Sequence, residues 1–95
     1  MTIAEINTND KINILVHGHS GYAEYGHDII CAGISALTQA FAMTADNVKC
    51  DTSDGFMNIV AEDSKDNRVR LEMLTSGLKA ISDSYPQYFE IFLKI

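Results

Sequence analysis

The uncharged segment from Ile29 to Ala45 constrains the fold of this 95-residue chain more than any other. Its apolar residues recur at i, i+4, i+7 and i+11, which predicts a helix from about Asp28 to Thr44. One stripe of that helix comprises Ile30, Ile34, Leu37 and Phe41, and a second comprises Ala32, Ala36, Ala40 and Met43. Because a helix that is apolar on two sides must be covered on both, we expect a sheet to cover one side and a second copy of the chain to cover the other, in a homodimer.

Short β-prone runs before and after this helix predict two hairpins. The first hairpin turns through the polar residues Thr8-Asn9-Asp10, and the second through Ser53-Asp54-Gly55, a sequence typical of tight turns. The four runs are Thr2 to Asn7, Lys11 to His17, Val48 to Thr52 and Phe56 to Glu62.

The remainder of the chain predicts a second helix and a last strand. A polar stretch from Asp63 to Asn67 leads into a helical stripe that Pro86 ends, and the tail from Tyr88 to Ile95 alternates in the manner of a strand. The stripe comprises Leu71, Leu74, Leu78, Ile81 and Tyr85. The element order is ββαββα(β), so we expect an α+β two-layer sandwich, with two helices packed on a largely antiparallel sheet, in one domain over residues 1–95.

Charge and cysteine content narrow the class of protein. Thirteen acidic and seven basic side chains give a net charge of −6, and no cluster of Lys or Arg suits a nucleic-acid partner. The first residues lack the basic and apolar regions of a signal peptide, and the run from Ile29 to Ala45 falls short of the ~20 strongly apolar residues that a membrane span needs. Two cysteines are too few for a disulfide framework. We therefore expect a reduced cytoplasmic protein without a membrane partner.

His19 and Cys31 are the candidate catalytic residues, 31 − 19 = 12 positions apart. If Asp28 is the N-cap, Cys31 lies in the first turn of the helix, where backbone N–H groups and the helix dipole stabilise a thiolate. A nearby imidazole can hold that thiolate as an ion pair and later protonate a leaving amine. The sequence therefore places a potential nucleophile and a potential base around one loop.

This region resembles the signature of the ribosomal-processing cysteine protease family, often called Prp. The matching residues are Gly18-His19-Ser20-Gly21-Tyr22-Ala23-Glu24-Tyr25-Gly26, Asp28-Ile29-Ile30-Cys31-Ala32 and Ser35-Ala36-Leu37, with Ser53 to Gly55, Leu74, Gly77, Leu78, Ile81 and Tyr85-Pro86-Gln87-Tyr88 further on. The resemblance implies that His19 is the base and Cys31 the nucleophile of an endopeptidase. It also implies that the substrate is the N-terminal extension of a large-subunit ribosomal protein, cut after an aromatic residue. The acidic charge agrees with such a basic partner.

Two further residues are candidates for supporting roles. Asp28 and Ser35 lie at i−3 and i+4 from Cys31, on the same helical face. Asp28 is either only a helix cap or also a group that orients His19. Ser35 either donates toward the sulfur or bonds back to the Cys31 carbonyl. The oxyanion hole is expected from backbone N–H groups of the loop or helix start, with the Cys31 amide as one candidate.

The loop between the two candidate catalytic residues contains glycines and tyrosines. Gly18, Gly21 and Gly26 provide the backbone freedom of a gate hinge, and the alternative is an ordinary surface connection. Given the family's preference, Tyr22 and Tyr25 are candidate walls for an aromatic substrate side chain. The alternative is that they pin the loop to the domain.

Two other functions stay open from the sequence. His17 and His27 depart from the usual family pattern, and together with His19 and Cys31 they supply four ligands of the kind that bind Zn²⁺. That spacing is a weak signal, and we expect neither a metal nor another cofactor. The other alternative is a non-catalytic module that binds a ribosomal protein and holds Cys31 as a buried thiol.

Overall fold

The computed structural model describes residues 1–24 and 27–95, and its elements follow the predicted order. They are β1 Thr2–Asn7, β2 Ile12–His17, α1 Ile29–Thr44, β3 Val48–Ser53, β4 Phe56–Ala61, α2 Lys65–Ser84 and β5 Phe89–Lys94. The predicted α+β class is confirmed, and most element ends lie within one residue of the predicted ones.

The five strands form one mixed sheet in the order β3-β4-β2-β1-β5. Every neighbouring pair is antiparallel except β1 and β5, which are parallel. At the end of β2, His17 pairs with Ile3 on one side and with Phe56 on the other. This register brings the residues that follow β2 next to the β3–β4 turn, which is where the site lies.

The core fills the space between the sheet and the two helices. Alternate residues of the central strands point into it, as a pleated strand with one covered face requires. The buried apolar residues include Ile6, Ile12, Ile14, Ile59 and Phe89 from the sheet, and Ile30, Ile34, Phe41, Leu71, Leu74 and Leu78 from the helices. The first stripe of α1 therefore packs in the core. The second stripe is exposed, and Met43 within it is 83% accessible to solvent. Neither helix of the described residues is long and apolar enough to cross a membrane.

The start of α2 differs from the prediction. The helix begins at Lys65, inside the polar stretch expected to be a connection, because Ser64 caps it by accepting a hydrogen bond from the Asn67 N–H at 3.1 Å. Asn67 is fully buried, and its Nδ2 donates to the carbonyls of Asp46 at 2.9 Å and Glu62 at 2.8 Å. A hydrophobic pattern cannot reveal a polar residue that is buried because it bonds to loop backbone, so the sequence did not predict this helix start.

Candidate active site

The backbone before His19 is fixed to the corner of the sheet. The N–H of Gly18 donates to the Gly55 carbonyl at 2.9 Å, and the Thr2 hydroxyl donates to the Gly18 carbonyl at 3.3 Å. Gly18 has a φ of 88°, and a Cβ at this position would collide with the carbonyl oxygen of Met1. Glycine is therefore required here, and His19 leaves the sheet at a defined point beside the β3–β4 turn.

The imidazole of His19 points its Nε2 end at that turn. A Cβ built on Gly55 would lie 2.9 Å from Nε2 and 3.4 Å from each of its two ring neighbours, Cδ2 and Cε1. Oδ1 of Asp54 lies 3.7 Å from the same Nε2 atom. Sequence reasoning treated Asp54 only as a turn residue, because its proximity to His19 depends on the β2–β4 register rather than on a local pattern.

Cys31 lies in the first turn of α1, as predicted, and is partly exposed. Asp28 is confirmed as the N-cap: its Oδ1 accepts hydrogen bonds from the N–H groups of Ile30 and Cys31, both at 3.0 Å. The amide of Cys31, one candidate oxyanion-hole donor, thus donates to Asp28 in the free protein.

A buried serine connects the His19 loop to the Cys31 helix. Ser20 is only 3% exposed; its hydroxyl donates to Oδ2 of Asp28 and accepts from the N–H of Tyr22 at 3.2 Å. Burial opposes ionisation of Asp28, but hydrogen bonds from Ser20 and from Cys31 outweigh it, so the pKa of Asp28 is lowered. The charged carboxylate therefore binds the helix start with one oxygen and the loop with the other. The sequence analysis noted Ser20 only within the matching motif and assigned it no role, because its contact with Asp28 depends on how the loop folds against α1.

A cleft of about 1130 Å³ between α1 and the β3–β4 hairpin brings most of the predicted site residues together. His19, Asp28, Cys31 and Ser35 all line it, as do Gly18 and Gly21. Further lining residues that the sequence did not single out are Gln39, Thr52, Asp54, Phe56 and Met57. A thiol, an imidazole and two carboxylates thus share one solvent-accessible groove.

Tyr22 is packed away from this lining. Its ring makes edge-on contacts with Tyr85, at a centroid distance of 5.6 Å, and with Tyr88, at 5.3 Å. This arrangement supports the alternative in which Tyr22 pins the loop to the segment after α2. The other predicted wall, Tyr25, and the predicted hinge Gly26 lie outside the described residues.

The other two histidines do not join the cleft. Nε2 of His17 lies 3.1 Å from Oε2 of Glu5, and His17 alternates with the buried residues of β2, so it points away from the helices. His27 is exposed just before α1. Across residues 1–24 and 27–95, no three His, Cys, Asp or Glu side chains are grouped to hold a metal ion, so the four-ligand arrangement is not assembled.

An α+β domain that brings a helix-start cysteine and a histidine to one cleft has the features of a thiol hydrolase. The sequence matches the profile of the cysteine protease Prp over residues 1–90. The chain belongs to this family of cysteine proteases.

Characterised relatives agree with this assignment. The ribosomal processing cysteine protease Prp of Staphylococcus aureus is 26% identical over an alignment of 106 residues, covering 99% of this chain and 100% of the relative. A crystal structure of the S. aureus protease with a covalently linked product peptide superposes with a TM-score of 0.88 at 26% identity, covering 99% and 100% of the two chains. A Streptococcus mutans protein shares the fold, with a TM-score of 0.75 at 19% identity, covering 99% of this chain and 94% of the other.

Proposed function

We propose that this protein is a cysteine endopeptidase that removes the N-terminal extension of a large-subunit ribosomal protein in the cytoplasm. In this proposal Cys31 is the nucleophile and His19 is the acid and base. The observation that carries it is the shared cleft of these two side chains, with Cys31 in the first turn of α1. Membership of the Prp family and the peptide complexes of the S. aureus relative support a peptide substrate.

The proposed reaction has two stages. The Cys31 thiolate attacks the scissile carbonyl carbon, a C–S bond forms, and the protonated imidazole of His19 donates its proton to the leaving nitrogen as the C–N bond breaks. The neutral imidazole then takes a proton from water, whose oxygen attacks the acyl carbon. The C–S bond breaks, and the thiolate and imidazolium are restored. Backbone N–H groups around the cleft hold the oxyanion in both stages.

Substitution of the two residues tests the proposal directly. Incubation with the N-terminal extension peptide of the cognate ribosomal protein, with the products mapped by mass spectrometry, should show one cut. Cys31→Ala should abolish that cut while leaving the fold and peptide binding intact, and His19→Ala should reduce it nearly as far. Cys50→Ala, at the exposed second cysteine on β3, is the matched control and should cleave normally. Cleavage by Cys31→Ala would overturn the proposal, and binding without any turnover by the unaltered protein would establish the non-catalytic alternative.

We further propose that the substrate carries a bulky aromatic residue before the scissile bond and basic residues after it. Val16 and Met57, which pair across β2 and β4 on the face toward the helices, provide apolar surface in the cleft for a ring, and Asp28 and Asp54 provide negative charge in the same groove. The exposed carboxylate of Asp54 and the net charge of −6 favour a basic segment, through an attraction that is screened over ~8 Å at physiological salt.

Peptide variants separate these two preferences. Replacing the aromatic residue by alanine should greatly lower cleavage at every salt concentration, because burial of a ring depends little on ionic strength. Efficiency on basic peptides should fall as salt rises, mainly through a higher KM. Equal cleavage of the aromatic and alanine peptides would refute the apolar pocket, and a flat salt response would show that charge plays no part in selection.

A further inference from the structure

We infer that Asp54 is a positioning residue, which holds Nε2 of His19 so that Nδ1 is the atom that exchanges a proton with Cys31 and the substrate. The inference rests on the proposed function, since it assigns a role within the same site. It follows from three contacts between the His19 segment and the β3–β4 turn, which begins where β3 ends at Ser53 and closes at Gly55.

The first contact fixes the backbone. The hydrogen bond from the Gly18 N–H to the Gly55 carbonyl, at 2.9 Å, ties the residue before His19 to the turn that carries Asp54. Gly55 itself has a φ of 67°, which sets the direction of the turn. The histidine and the aspartate are therefore attached to one rigid corner, and their separation does not depend on the position of α1.

The second contact fixes the ring. The atoms of His19 nearest to a Cβ on Gly55 are Nε2 and its two ring neighbours, so the Nε2 vertex is the part of the imidazole that faces the turn. In a five-membered ring this directs the opposite edge, which holds Nδ1, away from the turn. Cys31 lines the same cleft from α1 whereas the turn lines it from the sheet, so we place the thiol on the Nδ1 side of the ring.

The third contact supplies the charge. Oδ1 of Asp54 lies 3.7 Å from Nε2, an ion-pair distance that a small movement of two exposed side chains shortens to a hydrogen bond. Asp28 and Cys31 line the cleft from the α1 side, but the Asp28 carboxylate is occupied by Ser20 and the helix start. Asp54 is thus the carboxylate within 4 Å of this imidazole in the part of the chain that the structure describes.

The pair is largely open to solvent, with His19 61% and Asp54 88% exposed in their side chains. Exposed ion pairs contribute little energy, so we expect Asp54 to act by orienting the ring rather than by strongly stabilising its charge. Loss of this orientation corresponds to roughly a two- to five-fold fall in kcat. This loss of orientation should appear in kcat, whereas loss of the Asp54 charge from the groove should appear separately as a higher KM on basic peptides.

The test compares Asp54→Ala and Asp54→Asn with Asp51→Asn, a matched loss of one exposed carboxylate on β3 of the same hairpin. Two measurements are made on each protein: kcat and KM on the extension peptide, and the nitrogen chemical shifts of His19 by NMR. The NMR measurement requires no catalysis, so it tests the contact even if the proposed activity fails.

In the neutral form of His19, we expect the proton to lie on Nε2 in the unaltered protein. Asp54→Ala should lower kcat roughly two- to five-fold and mix the two tautomers, because it removes the acceptor that faces Nε2. Asp54→Asn retains an acceptor oxygen, so it should keep the tautomer and most of kcat. Asp51→Asn should match the unaltered protein.

Two results would overturn the inference. The first is a proton on Nδ1 of neutral His19 in the unaltered protein. The second is an Asp54→Ala variant whose kcat and His19 tautomer match those of Asp51→Asn. If Cys31→Ala is inactive in the same assay, the second result rejects the role of Asp54 and leaves the proposed protease intact.

Discussion

Asp28 joins two parts of the site through one carboxylate. One oxygen caps α1 at the turn that carries Cys31, and the other accepts the hydroxyl hydrogen bond of buried Ser20, the neighbour of His19. The helix start and the loop are consequently coupled by a single side chain. A change at Asp28 therefore affects stability and geometry together, which calls for a measurement that separates charge from capping.

Comparison of Asp28→Asn with Asp28→Ala makes this separation. Loss of the cap in Asp28→Ala should cost about 1 kcal/mol in the free energy of unfolding, whereas asparagine caps nearly as well. Because folding lowers the pKa of Asp28, the stability from its charge is present above the unfolded pKa of about 3.9 and is lost as pH falls through the lower folded pKa. Urea unfolding should show the unaltered protein more stable than Asp28→Asn at pH 7, with the difference in unfolding free energy shrinking as the pH falls below the unfolded pKa. A gap independent of pH would contradict the assignment.

These residues also show how far a sequence can specify a site. Asp28 was predictable as a cap because capping relates neighbours in sequence, and Cys31 followed from it. His19 and Asp54 are 54 − 19 = 35 positions apart in the sequence. They come close only because the register between β2 and β4 places the end of β2 beside the β3–β4 turn. The packing of Tyr22 on Tyr85 and Tyr88 likewise depends on where β5 returns.

The two helices meet through glycines, one on each helix. A Cβ at Gly33 would lie 3.2 Å from Cδ1 of Ile81, and one at Gly77 would lie 2.8 and 3.1 Å from the two terminal carbons of Leu37. Gly33 faces a single methyl group, whereas Gly77 faces both terminal carbons of Leu37, one of them closer than a Cβ contact allows, so the Leu37 side chain must shift. The two positions therefore differ in how closely the helices approach.

Alanine at each position measures this difference. Replacing glycine by alanine inside a helix gains about 1 kcal/mol in propensity. Gly33→Ala should keep some of that gain and be neutral or stabilising, whereas overpacking at Gly77→Ala should cost about 1–3 kcal/mol and make the variant less stable. Thermal unfolding followed by circular dichroism compares the two directly. Equal melting temperatures would show that the helix contact is looser than the distances indicate.

The periodic patterns predicted the helices and strands well, and the exceptions have physical causes. The last strand was expected from its alternation, but its position beside β1, as the parallel partner in a largely antiparallel sheet, has no local signature. Asn67 was read as part of a polar connection, because no pattern distinguishes a buried amide that bonds to Asp46 and Glu62 from an exposed one. In both cases the deciding contacts join distant parts of the chain.

The exposed second stripe of α1 bears on the expected homodimer. Ala32, Ala36, Ala40 and Met43 are all solvent-accessible in the single chain, and Ile29 at the start of the helix is exposed as well. A continuous apolar surface of this kind is stabilised when a two-fold partner covers it. Since the same helix carries Cys31, an interface here would lie next to the cleft.

Sedimentation at micromolar concentration should report a dimer. Ala36→Glu places a charge in the middle of the stripe and should shift the protein to a monomer with its fold intact, because the position is exposed in the single chain. Phe92→Ser, on the sheet face opposite the helices, removes an exposed ring elsewhere and should remain dimeric. A monomeric unaltered protein would reject the interface.

The parallel pairing of β1 with β5 has a consequence for folding kinetics. Thr2 is aligned with Phe89, a separation of 89 − 2 = 87 residues, and the Thr2 N–H donates to the Tyr88 carbonyl at 3.0 Å. Contacts between such distant residues form late, because a long loop must close before they are gained. The same threonine supports the Gly18 carbonyl next to His19. We expect a chain whose last strand has not yet paired to hold His19 without its native support. If His19 has the role proposed above, proteolytic activity should then arise only when folding is nearly finished.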